Sequence, residues 1–436
     1  MILMNVGIIG GTDGLGKTLI YYFRDDFDVY ITGRDHQKGR AIANDLNVNY
    51  IESNAGLANI SDVLVVAVPI EYTSDVIREV APFMKEGSLM VDVTSVKEEP
   101  SKTMAESLPE PVEYIPTHPI FGPRTTRLDN QVIVLTPDKK GKWYDRVYKY
   151  LESKNMRVIE TTAQKHDYMM SIVQVLTHFS FISTASAIEK LKVDLSETED
   201  YESPIYNLMI DLIARIVAQN PYLTYNIQSR NNNGPKIRNT FAESVIELRD
   251  VINEKDEDKF VEIAIQATKH MGDITNALGR SDKAISALSN EYSSLLNSIG
   301  KEVGLKHIYS GKVHVGILEN VDNKTATLKR GSKIKKLRIA NIQILQDNEL
   351  YQWKLDNMNK VTRSISCVFS KNVHVETIQK TVENFHNIID IKLIDAYNGP
   401  QIPDDSISLT FEVTSLTKEA IDNVEKLFVG FGGTIR

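Results

Sequence analysis

The sequence predicts an α/β domain with a parallel sheet, followed by an all-helical domain, a small β-rich segment and a terminal βαββαβ domain. Strand and helix patterns alternate over the first 160 residues, and apolar residues then recur at helical spacing to about residue 300. Short strand patterns and turns follow. The predicted domain boundaries are therefore 1–160, 161–300, 301–358 and 359–436.

The first domain shows four apolar strand patterns separated by helical ones. Strands are predicted at Val6–Gly10, Asp28–Thr32, Val63–Val68 and Leu89–Val93, and helices at Gly14–Phe23, His36–Leu46 and Glu71–Met84. The run Val63–Val68 is continuously apolar, which is typical of a strand buried on both faces. This alternation favours a parallel sheet covered by helices.

The later segments change character twice. Apolar residues at three- and four-residue spacing predict helices, for example over Ile205–Ala218, which lies between Pro204 and Pro221. These helices carry enough apolar surface to be buried in a dimer. The chain then predicts strands at Val313–Leu318 and Thr325–Lys329. Its last part predicts the βαββαβ order: Ser364–Phe369, Val375–Phe385, Ile388–Tyr397, Ser406–Val413, Lys418–Phe428 and Thr434–Arg436.

Composition narrows the function classes. The 436 residues are 42% apolar and 25% charged, which is ordinary globular usage, and the net charge is −8. A nucleic-acid or acidic-membrane role usually shows the opposite sign, so neither partner is expected. A single cysteine, Cys367, forms neither a disulfide framework nor a thiolate metal site, and we expect it to lie buried in a strand. No signal peptide is recognised and the run Val63–Ile70 is too short to span a bilayer, so the expected location is cytoplasmic.

A glycine-rich run joins the first strand to the first helix. Glycines at this position let the backbone approach a pyrophosphate, which the free N–H groups of the helix then bind. In the register Gly11-x-Asp13-x-x-Gly16, Asp13 replaces the second glycine, and its carboxylate would repel a pyrophosphate. The alternative spacing Gly10-x-x-x-Gly14-x-Gly16 avoids this repulsion if the Asp13 side chain points to solvent. The sequence thus predicts a Rossmann dinucleotide-binding domain. Its expected cofactor contacts are Gly10, Gly11, Thr12, Gly14, Leu15, Gly16, Thr32, Arg34, Val68 and Pro69.

The end of the second strand bears on the choice of cofactor. Arg34 comes directly before Asp35. In this fold an arginine here accommodates the 2′-phosphate of NADP, and an acid binds the ribose hydroxyl of NAD. We therefore expect NADP, with NAD as the alternative if Arg34 stacks on the adenine and Asp35 binds the ribose.

Two polar clusters follow strands of the first domain. They are Asp92–Lys97 (DVTSVK) and Pro116–Pro123 (PTHPIFGP). Both are expected at the carboxyl edge of the sheet, where ligands bind in such folds. His118 lies between prolines in a stiff backbone, which suits a positioned general base.

These clusters resemble two signature loops of prephenate dehydrogenases. The helical part is similar too, in the segment that begins at His166–Asp167 and in Ser203–Pro221, and the resemblance covers about residues 5–295 in four motifs. It implies oxidative decarboxylation of prephenate by a homodimer on the route to tyrosine, with arogenate as the alternative substrate. It also implies that His118 accepts the proton of the ring hydroxyl and that Ser95 orients that hydroxyl.

The remaining implied contacts concern substrate binding. The resemblance implies that Arg215 pairs with the ring carboxylate, and that His178 and Lys97 are further polar contacts. The alternative for Arg215 is an ion pair with Asp211, four residues earlier on the same helix. A different reductase, one that exchanges hydride with a deazaflavin, would explain the glycine run and Arg34 but not His118, Ser95 and Arg215 together.

The last 75 or so residues resemble another family. Asp395–Asp405 and the strand after it are similar to the ferredoxin-fold anticodon-binding domain of the phenylalanyl-tRNA synthetase β subunit, and the same ferredoxin-like order describes amino-acid-binding ACT domains. Lys360–Arg436 contains 8 basic and 10 acidic side chains, which disfavours strong RNA binding. We expect a regulatory or assembly role for this domain, with an aromatic amino acid as the effector. The alternative is that the protein binds RNA through this domain. An upstream basic run is expected to be a solvated hairpin face: Lys324, Lys329, Arg330, Lys333, Lys335, Lys336 and Arg338.

Overall fold

The computed structural model describes residues 4–436, apart from the side chains of residues 199 and 200. The chain divides into two compact units, one ending at Ile274 and the other running from Thr275 to Arg436.

The first unit begins with alternating strands and helices. In chain order they are β1 (Asn5–Ile9), α1 (Gly14–Phe23), β2 (Asp28–Thr32), α2 (His36–Leu46), β3 (Asn49–Tyr50), α3 (Asn54–Ile60), β4 (Val63–Val66), α4 (Ile70–Val80), β5 (Leu89–Asp92), α5 (Glu98–Ser107) and β6 (Glu113–Tyr114). The bounds of α1, β2 and α2 are those predicted. The polar side chains of Asp13 and Asp35 cap α1 and α2, and this explains why the helices begin where they do.

Strands β1–β6 form one parallel sheet. Its order is β3-β2-β1-β4-β5-β6, which is the order of the dinucleotide-binding α/β fold. The buried residues of β1, β2 and β4 are almost all apolar, as expected of strands covered on both faces. Because the strands are parallel, the segments that follow β1, β2, β4 and β5 all leave the sheet at its carboxyl edge.

A small three-stranded sheet comes next. It comprises β7 (Thr117–Pro119), β8 (Val132–Leu135) and β9 (Arg157–Glu160), with α6 (Lys142–Ser153) between the last two strands. Strand β7 is antiparallel to β8 and carries His118 opposite Val134.

Helices occupy the rest of the first unit. They are α7 (Ala163–Met170), a π-helical turn at Ser171–Leu176, α8 (Thr177–Leu191), α9 (Pro204–Val217), α10 (Pro221–Arg230), α11 (Gly234–Asn253) and α12 (Glu257–His270). Helix α10 is anchored to the nucleotide domain through the amide of Asn226, which donates to Glu71 at 2.8 Å, and through Arg230, which pairs with Glu99 at 3.3 Å.

Much of the helical surface is apolar and exposed. Helix α12 has no buried residue among those described, although Phe260, Val261 and Ile265 lie on it. A large exposed apolar surface of this kind marks an interaction site.

The second unit holds two sheets. Its elements are α13 (Ile274–Leu296, which begins at the boundary), β10 (Glu302–His307), β11 (Val313–Val321), β12 (Thr325–Arg330), β13 (Lys333–Arg338), β14 (Ile342–Ile344), α14 (Asp347–Asn357), β15 (Val361–Ser370), α15 (Val375–Glu383), β16 (Ile388–Tyr397), β17 (Ser406–Ser415), α16 (Lys418–Gly430) and β18 (Thr434–Ile435). The sheet orders are β13-β12-β11-β10-β14 and β16-β17-β15-β18. Cys367 is fully buried on β15, as predicted.

Candidate functional site

The glycine loop between β1 and α1 is a tight turn whose backbone packs closely against neighbouring segments. The N–H groups of Gly10 and Gly11 donate to the carbonyl of Thr32 at 3.1 and 3.2 Å. Gly10 has φ +85°, and a Cβ there would lie 2.5 Å from the carbonyl oxygen of Ala67. A Cβ on Gly16 would lie 2.3 Å from the Gly10 carbonyl oxygen. These positions therefore require glycine, and the loop forms the tight strand-to-helix turn that a dinucleotide-binding site needs.

Asp13 is directed away from the turn. Its side chain is 86% exposed, accepts the N–H of Gly14 at 2.9 Å and pairs with the ammonium of Lys38 at 2.8 Å. The hydrogen bond from Lys38 lowers the pKa of the Asp13 carboxyl. Its charge is thus neutralised locally, which reduces its repulsion of a phosphate.

Arg34 and Asp35 differ in their surroundings. Asp35 caps α2 by accepting the N–H of Lys38 at 2.9 Å. The exposed guanidinium carbon of Arg34 lies 5.6 Å from the centre of the Tyr72 ring. One carboxylate oxygen is therefore used by the protein, whereas the guanidinium is held at the surface by a cation–π contact.

The other predicted cofactor contacts lie at the same edge of the sheet. Thr12 and Leu15 are half-buried in the turn and the first turn of α1. Val68 and Pro69 follow β4, and Pro69 directly precedes α4. The loop after His118 also reaches this edge, because Thr18 and Tyr22 of α1 donate to the carbonyls of Pro123 and Thr125 at 3.2 and 2.6 Å.

Lys97 is a buried structural cation. Its side chain is 0% exposed, pairs with the carboxylate of Asp92 and donates to the carbonyl of Thr117 at 2.7 Å and the hydroxyl of Thr94 at 3.2 Å. Burial lowers the pKa of Lys97, against the attraction of Asp92. These three protein oxygens surround the ammonium, so Lys97 joins the Asp92 loop to the strand that carries His118, and its contact with the substrate stays a prediction.

His118 is buried in a chain of hydrogen bonds. Its Nδ1 lies 2.9 Å from Nε2 of His166, and Nδ1 of His166 lies 2.7 Å from a carboxylate oxygen of Asp167. That carboxylate also accepts the backbone N–H groups of Lys97 and Glu98 at 2.7 and 3.0 Å. The base candidate of β7 is therefore linked to the beginning of the helical domain.

The surroundings of His118 disfavour its charged form. Burial is the main cause that lowers the pKa of His118 well below its usual 6.5, and the charges of His166 and Lys97 act in the same direction. A neutral imidazole at neutral pH is the form that accepts a proton.

The helical segment that follows His166 carries buried polar atoms that have no partner among the described residues. Gln174 places its amide nitrogen 3.5 Å from Nε2 of His118, and its carbonyl oxygen has no partner among the described residues. Nδ1 of His178 is likewise buried without a partner in the described part of the chain, and burial lowers the pKa of this imidazole. Buried polar groups of this kind are usually satisfied, so these two atoms are suited to a ligand.

A cavity of about 590 Å³ opens beside this segment. It is lined by Phe179, Ile182, Ile216, Val217, Gln219, Pro221, Thr224, Tyr225, Gln228, Ser229 and Arg238. Gln228 joins it to the π-helical turn by donating to the carbonyl of Val175 at 2.9 Å. Arg238 donates to the carbonyl of Gln228 at 2.6 Å and forms no ion pair within the described residues.

Ser95 and Arg215 are the remaining predicted site residues. Ser95 is half-buried on the loop that Lys97 fixes. Arg215 is exposed in the last turn of α9, next to Ile216 of the cavity wall, and no ion pair joins it to Asp211 in the residues that the structure covers. The predicted alternative for Arg215 is therefore absent from this structure.

Sequence reasoning gave no role to three residues that contact the site: His166, Asp167 and Gln174. The adjacent His–Asp pair at the start of a helix was a usable signal. Its contact with His118 spans 48 residues of sequence, and only the folded chain shows it.

Comparisons with known proteins agree with this geometry. Residues 22–160 match the family model for the nucleotide-binding domain of prephenate dehydrogenase, and residues 162–266 match the model for its dimerization domain.

The apolar helical run Ala163–Leu191 is long enough, by length and composition alone, to cross a membrane. This run lies in the part of the chain that matches the dimerization-domain model.

Individual relatives extend the match. A protein of Methanocaldococcus jannaschii called "Probable arogenate/prephenate dehydrogenase" is 40% identical over 431 residues, which cover 98% of this chain and 96% of that protein. The T-protein of Haemophilus influenzae is 26% identical over 285 residues, or 65% of this chain and 71% of that protein. The first relative thus shares the C-terminal unit, beyond the end of the family models.

A solved structure shares the fold of the first unit. The crystal structure of prephenate dehydrogenase from A. aeolicus in complex with hydroxyphenyl propionate and NAD+ aligns with a TM-score of 0.51 at 18% identity, covering 62% of this chain and 98% of that one. The matched domains, together with the full-length relative, decide the family. The chain belongs to the prephenate dehydrogenase family of nicotinamide-dependent oxidoreductases.

Proposed function

We propose that this protein is an NADP-dependent prephenate dehydrogenase that acts as a homodimer. It converts prephenate to 4-hydroxyphenylpyruvate and carbon dioxide. The observation that carries the proposal is the buried His118, whose pKa is lowered by burial and whose Nε2 lies 3.5 Å from the amide nitrogen of Gln174, a side chain whose carbonyl oxygen has no partner among the described residues.

The residues divide the chemistry among them. When bound, the nicotinamide would supply the acceptor for the hydride of the hydroxyl-bearing ring carbon. His118 accepts the hydroxyl proton, and Ser95 orients the hydroxyl by a hydrogen bond. Loss of the ring carboxylate as carbon dioxide leaves its electron pair in the ring, which becomes a phenol once the oxygen regains a proton. Arg215 binds the carboxylate before it leaves, and His178 is a further polar contact.

We propose prephenate rather than arogenate on the basis of the cavity beside the π-helical turn. Arogenate carries a side-chain ammonium where prephenate has a keto group, and an ammonium is best recognised by a carboxylate. No acidic side chain occurs among the cavity-lining residues, whereas the guanidinium of Arg238 faces it without a carboxylate partner in the described chain. A dicarboxylic keto acid suits this lining.

Replacing His118 tests the proposal. His118→Asn keeps a polar side chain but removes the base, so kcat with prephenate is expected to fall about 10²–10⁴-fold. Reduced-nicotinamide absorbance measures the rate, and a melting curve checks the fold. His374→Asn is the matched control, because His374 is exposed on the second unit and its side chain caps nothing there. Unchanged kcat in His118→Asn would remove the proposal's basis.

Arg34 decides the cofactor part of the proposal. Its exposed guanidinium lies beside the Tyr72 ring and forms the proposed contact with the 2′-phosphate, while one carboxylate oxygen of Asp35 is used as a helix cap. Arg34→Gln is expected to lower kcat/KM for NADP about 10–100-fold, the worth of a charge-assisted hydrogen bond, and to leave NAD nearly unaffected. A wild-type preference for NAD would contradict the NADP assignment.

For residues 359–436 we propose a ferredoxin-like domain with a regulatory or assembly role. Support comes from the element order β15-α15-β16-β17-α16-β18 and the sheet order β16-β17-β15-β18. The test is to add tyrosine or phenylalanine and measure the kinetics and melting temperature. No change in either would remove support for the regulatory role.

A further inference from the structure

We propose that His166 and Asp167 are positioning residues that hold His118 in the one neutral tautomer able to act as a base. The inference deepens the proposed function and rests on it. It concerns the hydrogen-bond chain Asp167–His166–His118, in which only His118 borders the proposed substrate site.

The direction of the chain follows from Asp167. Its carboxylate oxygens already accept two backbone N–H groups, from Lys97 and Glu98. An ionised carboxylate has no hydrogen to donate, so Nδ1 of His166 must carry the proton in their 2.7 Å contact.

With His166 in its neutral form, the next link has one arrangement. In neutral His166 the proton on Nδ1 leaves a lone pair on Nε2, which accepts a hydrogen bond from Nδ1 of His118 at 2.9 Å. His118 therefore carries its proton on Nδ1 and its lone pair on Nε2. That nitrogen faces the side chain of Gln174, whose carbonyl oxygen has no partner among the described residues.

The opposite tautomer would inactivate the site. With the proton on Nε2, His118 would direct an N–H at the substrate hydroxyl and could not accept its proton. The hydrogen-bond chain also stabilises the positive charge that His118 gains on accepting the proton. Protonated His118 still donates to His166, and Asp167 orients His166. In a serine-protease triad, replacing the orienting aspartate by asparagine costs about 10⁴-fold in kcat through the wrong tautomer.

Two substitutions of His166 separate positioning from simple packing. His166→Leu fills the site but removes the acceptor for His118, whereas His166→Gln places an amide oxygen near the former Nε2. The expected result is a loss in kcat of about 10²-fold or more in His166→Leu, with KM for prephenate little changed. His166→Gln should recover a large part of that loss, and His374→Leu serves as the control with unchanged kcat.

Nitrogen NMR of histidine-labelled protein reads the tautomer directly, without substrate. The spectrum of the wild type should show the His118 proton on Nδ1, and His166→Leu should shift it toward Nε2. A His118 proton on Nε2 in the wild type overturns the proposal, as does unchanged kcat in a folded His166→Leu. If His166→Leu does not fold, the wild-type spectrum decides. A wild type that does not oxidise prephenate refutes the proposed function instead, since the tautomer measurement needs no turnover.

Discussion

The polar cluster around His118 and the exposed helical faces of the same unit differ in how their charged and apolar groups are partnered. In the cluster Lys97 is wholly buried, and Asp92, Thr94 and Thr117 saturate its ammonium. On the helices, Arg215 on α9 and Ile265 on α12 lie exposed without an ion pair or a buried contact within the described chain. The ammonium of Lys97 therefore has all its partners within one chain, whereas the helical faces leave charge and apolar surface exposed.

This difference separates stability from binding. A buried charge whose partner is removed has no water to replace it, so substitution of Lys97 is expected to act on folding. Exposed groups without protein partners contribute little to folding, and their substitution acts on substrate or on the second copy. Three substitutions sharpen or break the comparison.

The largest effect is expected at Lys97. Lys97→Met leaves the buried Asp92 carboxylate without its cation, which is expected to lower the free energy of unfolding by about 3–5 kcal/mol. Urea denaturation measures the change. Lys102→Met is the matched control, because Lys102 pairs with Glu106 at the surface at 3.9 Å, and about 0.5 kcal/mol or less is expected there. Equal losses in the two variants would contradict the contrast.

A smaller effect of a different kind is expected at Arg215. Arg215→Ala removes the proposed charge-assisted contact to the substrate carboxylate, so KM for prephenate should rise about 10–100-fold. The free energy of unfolding should not change. Arg249→Ala, an exposed arginine on α11 that pairs with Asp250, is the control. An unchanged KM, or a protein destabilised as strongly as Lys97→Met, would end the assignment.

The smallest effect is expected on α12. Val261 and Ile265 are four residues apart on one face and 45% and 48% exposed. Ile265→Asp places a charge in the proposed dimer interface and should raise the dimer dissociation constant about tenfold or more. Sedimentation equilibrium measures it, with Phe83→Asp in the nucleotide domain as control. A dimer unaffected by Ile265→Asp but weakened by Phe83→Asp would place the interface elsewhere.

The sequence predicted those elements whose signals are local. Asp13 and Asp35 mark helix starts through their side-chain caps, and the bounds of α1 and α2 agree with the prediction. The short strand β3 was missed because its two residues show no periodicity. The π-helical turn at Ser171–Leu176 was missed because apolar spacing does not distinguish it from an α-helix.

The site was predictable in its parts and not in its connections. His118, Ser95 and Arg215 stand out by motif, whereas the burial of Lys97 does not, since lysines are rarely buried. The ion pair between Lys97 and Asp92 forms because the Asp92–Lys97 loop turns back on itself. The same turn brings the Lys97 side chain to the Thr117 carbonyl. The link from His118 to His166 likewise depends on how two domains pack.

The central claim is tested most directly by mixing the purified protein with prephenate or arogenate and NADP or NAD, and following reduced-nicotinamide absorbance together with released carbon dioxide. The account predicts one reduced cofactor for each carbon dioxide, with the highest kcat/KM for prephenate and NADP. Turnover of arogenate alone would contradict the proposed substrate. It would also contradict the inference that a cavity without acidic lining residues suits a keto acid. No reduced cofactor in any of the four combinations would contradict the account as a whole.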